Sequence, residues 1–436
     1  MSDASTDSDA SGDSDVSSAS QNHPQGPVIS PRPRAPVLPA LRHRSFRLFY
    51  IGFVISLLGV WMQRVAQSWL VLELTDSAFW VGMTDALGSL PVLLFTLYAG
   101  VLADRVPRRP MVIVTQAGAM VAALGLAALT LGGVVQLWHI VVLAALLGAA
   151  NAFDIPARHA LMVDMVGRED LVNAVALNSS AFNGTRVVGP AIAGFLIAAV
   201  GVGICFLLNG ISYLAVIAAL AVIEVPVVRR ASGSTSTVWL RLQDGLRHVS
   251  TDRRTRMLIL NIAAVSIFGL PALVLLPVMV RDVLGRGAQE YGWMMSAMGV
   301  GALTGALGIA VFGHRLPRGQ LLGWCAALFG GTVIAFGLSR SLALSLVLLA
   351  LLGCAMIVTT ALTNTLVQTL APDDLRARVV AFYAWAYVGL SPIGGVLAGS
   401  AAVWLGAGTT IALGGVVTTL VAVGGVLRSG ELRGTR

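Results

Sequence analysis

Five charged residues fall inside long apolar stretches of this 436-residue chain: Arg64, Asp85, Asp154, Arg158 and Arg186. A charge at the centre of a membrane helix costs about 2.5–3.5 kcal/mol on insertion scales, so such residues are functional candidates by default. Arg64 stands between Gln63 and Gln67, and Asp85 lies at similar depth on the next apolar segment, so the two can pair between antiparallel neighbours. Such a pair is either a static lock or a switch. In the second case Asp85 is a proton-responsive carboxylate, and Arg64 tunes its pKa or meets an anionic substrate. Asp154 and Arg158, four residues apart, read first as a static pair at a membrane rim, while Arg186 sits near the middle of the fifth segment. Polar and aromatic residues on the same stretches are candidates for a central cavity: Gln63, Gln67, Asn151, Asn183, Asn261, Thr359, Thr363, Asn364, Tyr383 and Tyr387.

A second group of charges sits at segment ends. The loop after the second segment reads GVLADRVPRR, from Gly100 to Arg109, and HRLPRG echoes it in the second half at an offset of 210 residues. Gly100 allows a close helix approach, and Asp104 can face the positive N-terminus of another helix. Arg105, Arg108 and Arg109 can pair across the molecule with Asp373 and Asp374, near Arg378 at the start of the eleventh segment. By the symmetry of the repeat, Arg315 and Arg318 face Glu169 and Asp170. Such pairs form a latch that closes one side and breaks when it opens; the plainer reading is a basic loop that only fixes topology. The echo is unequal, because His314 replaces Asp104 and Gly319 replaces Arg109.

These residues need a membrane-spanning scaffold. Hydrophobic residues make up 56% of the chain and charged ones 11%, too little polar surface for a soluble domain of this length. Twelve apolar segments between residues 48 and 427 are each long enough to cross a hydrocarbon core of about 30 Å as a helix. They lack the alternation of a transmembrane barrel. The expected fold is therefore all-α, with twelve transmembrane helices in two six-helix bundles, residues 45–224 and 257–428. A Ser-, Asp- and Pro-rich stretch over 1–44 reads as a disordered tail, not a signal peptide. The stretch 225–256 reads as a linker with a surface-lying amphipathic helix, and 429–436 as a short tail.

All 29 basic residues are arginine, and 24 of them fall in the segments that share a side with the two ends, against three in the opposite loops. This bias puts both termini in the cytoplasm and the protein in a bacterial inner membrane. It also explains the net charge of +8 by topology and anionic lipid, not by nucleic-acid binding. Cys205, Cys325 and Cys354 lie in apolar segments with no CxxC spacing, so no metal and no cofactor is expected. No HExxH, matched Ser/His/Asp set or phosphate-binding glycine loop supports an enzyme.

With its duplicated halves and the GVLADR loop at the inner end of the second segment, the chain resembles the major facilitator superfamily from about residue 45 to 428. The fifth segment carries NGTRVVGPAIAG, in which Gly184, Gly189 and Gly194 permit close packing and Pro190 favours a kink. It is similar to the Gly-Pro motif of the drug:proton antiporter branches. SWLVLELTDSAFWVG, NAFDIPARHAL and APDDLRARV carry a resemblance to the enterobactin-exporter-like branch. The resemblance implies a monomeric, proton-coupled exporter of an amphipathic small molecule such as a drug, siderophore or secondary metabolite. The alternatives are a facilitator or importer of a metabolite or lysophospholipid and, more remotely, a transporter-like sensor.

Overall fold

The computed structural model describes residues 38–223, 249–313, 317–373 and 375–427. The tail before residue 38, linker residues 224–248 with the expected amphipathic helix, Arg315, Asp374 and the chain from 428 onward lie outside the described residues.

Among the described residues there is no strand, and 12 helices are long and apolar enough to cross a membrane. In hydrocarbon every backbone donor must be satisfied within its own segment, and a helix does this. The first six are α1 (Arg44–Thr75), α2 (Ala78–Arg105), α3 (Arg108–Leu131), α4 (Leu137–Val166), α5 (Leu171–Val200) and α6 (Val202–Val222). The second six are α7 (Arg253–Val274), α8 (Ala288–Phe312), α9 (Arg318–Leu338), α10 (Leu342–Leu370), α11 (Arg378–Leu405) and α12 (Ala407–Gly425). Helices α7 and α11 are interrupted by π-helical turns at Val265–Gly269 and Trp385–Gly389, where the Ser266 hydroxyl donates to the Tyr387 carbonyl at 2.7 Å. An even number of crossings leaves both ends on one side, called here the terminal side, opposite the far side.

Helices α1–α6 pack on one another and α7–α12 on one another, and two long seams join the bundles: α2 against α11 and α5 against α8. The seams are backbone-to-backbone. A Cβ on Gly82 would lie 2.3 Å from the Gly395 carbonyl oxygen, and one on Gly292 would lie 2.4 Å from that of Pro190. Gly82 and Gly292 are aligned by the 210-residue repeat, so each half contributes its equivalent glycine to one seam. Small residues are how membrane helices approach closely when apolar burial gives no net drive.

These contacts sit toward the far side. There Trp69 of α1 stacks on Tyr291 of α8 with ring centroids 6.0 Å apart. Arg281, just past α7, bonds to Asp76 in the α1–α2 turn and donates to the Leu72 carbonyl at 3.1 Å. Asp282 beside it and Asp76 across the boundary hold the Arg281 guanidinium above its ordinary pKa. Asp76 adopts φ 48°, a left-handed conformation that Asp tolerates better than most residues. Toward the terminal side the α2–α11 seam ends: residues 376–384 at the start of α11 pack on α10 rather than on α2, and Leu94 of α2 and Trp385 of α11 are exposed. Gly100 and Gly184 lie toward this side. A Cβ on either would meet nothing within 4 Å, so neither stands at a close approach in this conformation; in the fifth-segment motif Gly189 and Gly194 do. The molecule is closed on the far side and open on the terminal side.

Valine at Gly82 or Gly292 tests this. Overpacking costs about 1–3 kcal/mol, enough to shift a two-state equilibrium by roughly 5- to 150-fold. Spin labels at Ser77 and Arg286, in far-side turns of opposite bundles, should move apart in either variant. Unchanged distance distributions would show that the seams do not control closure.

Candidate functional site

Beneath the closed far side, a cavity of about 240 Å³ lies inside the first bundle, walled by α1, α2, α4 and α6. Its polar lining is Gln63, Arg64, Gln67, Ser68, Thr84, Asp85, Ser89, Asn151 and Asn209, so five of the residues expected from sequence converge here: Gln63, Arg64, Gln67, Asp85 and Asn151. The apolar side is mostly valine, from Val60, Val71, Val81 and Val92. Asn209 donates to Gln63 Oε1 at 2.6 Å, fixing the wall between α1 and α6. The Thr84 hydroxyl is buried and has no hydrogen-bond partner.

Arg64 and Asp85 share this cavity without forming the expected ion pair; no hydrogen bond or salt bridge joins them. The Arg64 guanidinium instead lies 5.7 Å from the centroid of the Trp61 ring, a cation–π arrangement. Arg186, on α5, approaches the same ring at 5.8 Å and points a nitrogen at Met298 Sδ, 3.9 Å away. Tyr387 is an electrostatic neighbour of Arg186. Asn183 caps back onto the Ser179 carbonyl at 2.9 Å.

Most other expected cavity residues belong to the packing of the second bundle. Asn261, Thr359 and Thr363 are fully buried and Tyr383 nearly so. Thr363 donates to the Thr359 carbonyl at 2.7 Å and Tyr383 to the Thr360 carbonyl at 2.9 Å. Thr363 and Tyr383 bond locally because a hydroxyl in an apolar helix stack satisfies itself on the nearest free carbonyl lone pair, whereas the Asn261 amide and the Thr359 hydroxyl are buried without a hydrogen-bond partner. Asn364 is partly buried and accepts from Gln368 at 3.1 Å.

Asp154 and Arg158 form the static cluster of the first bundle. Buried Asp154 accepts from Thr115 at 3.1 Å, Gln116 at 2.9 Å and Arg158 Nε at 3.0 Å. The Arg158 guanidinium also covers the Phe53 ring at 4.5 Å. Helices α1, α3 and α4 are thereby tied around one satisfied charge pair.

The latch residues are unpaired across the molecule, as a parted terminal side requires. Arg108 makes a two-pronged contact with Asp164 at 2.8 and 2.7 Å, and Arg109 donates to the Leu220 and Ala221 carbonyls at the end of α6. Both are therefore anchored within their own bundle in this parted conformation, and not paired with Asp373. Asp170 pairs with His43 at 2.8 Å, and Asp373 with its neighbour Arg376 at 2.5 Å. Arg105 and Glu169 are exposed and Arg318 is partly exposed; none of the three makes an ion pair among the described residues. Arg378 is partly buried. Arg315, Asp374 and the Asp104 side chain lie outside what is described.

Sequence reasoning missed Asp164, Asn209, Thr84, Trp61 and the Arg281–Asp76 bridge. Asp164 alone had a sequence signal, being a carboxylate at the terminal-side end of α4, level with the basic loop.

A family model described as transmembrane secretion effector matches residues 35–434. The multidrug efflux pump Tap of Mycolicibacterium fortuitum is 30% identical over 77% of this chain and 83% of its own length. The enterobactin exporter EntS of Shigella flexneri is 26% identical over 82% of this chain and 85% of its own. Among solved structures, a bacterial homologue of the human lysosomal transporter Spinster, in an inward-facing and unoccupied conformation, superposes with a TM-score of 0.67 at 14% identity. That match covers 88% of this chain and 95% of the other.

The Asp154 cluster makes a stability prediction. Removing one partner of a buried pair typically costs about 3–5 kcal/mol, because the other charge is left unpaired. Asp154→Ala should therefore unfold far more readily than wild type in detergent, and Asp154→Asn, which keeps an acceptor oxygen for Thr115 and Gln116 but loses the one facing Arg158 Nε, should fall between them. Equal unfolding midpoints for all three proteins would remove the cluster from the stability of the bundle.

Proposed function

The chain belongs to the major facilitator superfamily, in its transmembrane secretion effector family, and on that premise we propose that it exports amphipathic small molecules by alternating access. The transported compounds are of the drug, siderophore or secondary-metabolite kind. The observation that carries this reading is the polar cavity with its unpaired charges, set beneath a closed far side in a molecule parted on the terminal side. The arginine bias supports a terminal side that faces the cytoplasm across a bacterial inner membrane. This is then the state in which an exporter loads. The relatives named as an efflux pump and a siderophore exporter support the direction.

Rocking the bundles about the seams would open the far side and close the terminal side. Among the described residues, Arg105, exposed and without an ion pair, and Asp373, held by its neighbour Arg376, are charges available to meet at that moment. Proton coupling is assigned to Asp85, a carboxylate inside the cavity wall with no salt-bridge partner among the described residues. Asp154 is less suited, because its acceptor positions are filled. The chain has no lysine to take a proton, and arginine stays charged. The protein acts as a monomer in this scheme, since cavity and gates are complete within one chain.

Two measurements test these proposals. In proteoliposomes with an imposed pH gradient, wild type should expel a fluorescent amphipathic dye. Asp85→Asn should lose about tenfold or more of the gradient-dependent part while keeping dye exchange at equal pH. Full gradient dependence in the variant would remove Asp85 from coupling. Charge reversal at Arg105 should lengthen the mean distance between labels at Val172 and Gln320 by disfavouring terminal-side closure, an effect of about 1 kcal/mol. A distance distribution identical to wild type would discard the latch.

A further inference from the structure

Arg64 and Arg186 are both drawn to one indole, at 5.7 and 5.8 Å from the Trp61 ring centroid, and each is an electrostatic neighbour of the other. Among the described residues neither has a carboxylate partner: Arg64 makes no hydrogen bond, and Arg186 reaches only the Met298 sulfur. Arg108, Arg109, Arg158 and Arg281, by contrast, are neutralised by a carboxylate or bonded to carbonyls. Two like charges gathered at one ring, neither paired with a carboxylate among the described residues, repel one another, and an arriving anion relieves that repulsion.

The surroundings are equipped for a polar ligand. The Thr84 hydroxyl is buried, lines the same cavity as Arg64 and has no partner. Trp61 Nε1 is likewise buried without a partner. Asp85 stands in the cavity with Arg64 yet apart from it, so an acceptor and a donor of opposite charge are both left open.

Resting on the exporter reading and deepening it, we propose that Arg64 and Arg186 form an anion subsite for the transported compound. They hold its carboxylate, sulfonate or phosphate-type group, while Asp85 takes a donor, ammonium or hydroxyl, from the same molecule. The cargo class is thus an amphipathic compound bearing an acidic group with a donor a short distance away. A lipophilic cation lacking the acid is refused, because it meets two uncompensated guanidinium groups.

Equilibrium binding to the full-length protein in nanodiscs tests this with three probes sharing one ring system: naphthalene-2-acetate, 3-(2-naphthyl)alanine and 2-naphthylmethylamine. The two carboxylates should bind wild type, and the amine should bind at least about tenfold more weakly. A charge-assisted hydrogen bond is worth roughly tenfold or more, so Arg64→Gln and Arg186→Gln should each weaken both carboxylates by that factor. Arg64→Lys and Arg186→Lys should restore part of the affinity, which a merely structural role would not give. Asp85→Asn should tighten naphthalene-2-acetate and weaken 3-(2-naphthyl)alanine. An amine that binds as well as the acetate, or acetate binding untouched by both glutamine variants, would overturn the anion subsite. If Asp85→Asn moved both carboxylates in the same direction, the donor role of Asp85 would fall. Binding is read without transport, so a wild-type protein that binds these probes but expels no dye from vesicles defeats the exporter reading and leaves the subsite standing.

Discussion

Two bundles of apolar helices in a bilayer have no hydrophobic reason to adhere, because lipid tails solvate them as well as they solvate each other. What joins these bundles is the close approach of backbones at Gly82 against Gly395 and at Gly292 against Pro190. Such contacts gain many small dispersion terms over a short length and involve no interlocking side chains. A seam of that kind adheres when aligned and can tilt without dragging side chains through one another. The far-side polar contacts, Arg281 with Asp76 and the Trp69–Tyr291 stack, add a modest bias. Closure on this side is therefore weak by construction, which is what a carrier that must reopen requires.

Charges sort by the same logic. Those bonded within one bundle are fully satisfied: Asp154 has three donors, Arg108 has both oxygens of Asp164, and Arg109 covers the carbonyl end of α6. They make each bundle a rigid body. Those facing the space between bundles, or the cavity beneath the closed gate, are left open: Arg105, Glu169, Arg64, Asp85 and Arg186. An interior charge with all its partners is structure, whereas one without them is a site awaiting a ligand, a proton or the opposite conformation.

Sequence showed the spans, the two-fold repeat and the glycines of the seam, because hydropathy and spacing report on a helix as a whole. It also showed the cavity residues of α1 and α2, where charges inside apolar runs stand out. It did not show rotation about the helix axis in the second bundle. Asn261, Thr359, Thr363 and Tyr383 sit on apolar helices whose faces differ little in polarity, so nothing in the pattern says which face turns inward. Nor could it choose partners for a loop of three arginines. Asp164, in the same bundle, and Asp373, in the opposite one, are equally acidic in sequence, and only the conformation decides between them.

With Asp85 as the proposed proton carrier, the arrangement of charges in the cavity would also set the sign of coupling. A proton arriving at Asp85 makes the site more positive, which alone strengthens an anion at Arg64 and Arg186. If the anion were the whole ligand, proton and cargo would favour one another and travel together, the reverse of what export driven by proton entry needs. The sign changes when the cargo also gives a cationic donor to Asp85. The carboxylate then holds either the donor or the proton, and this nearer interaction outweighs the more distant one because Coulomb energy falls with separation. Under that proposal the carrier couples only compounds that present acid and donor at a spacing matching Arg64 and Asp85. The rest of the molecule is left to the apolar walls of Val60, Val71, Val81 and Val92, which hold it by area and place few demands on its shape. Breadth toward the apolar body and strictness toward the polar head are then consequences of one cavity.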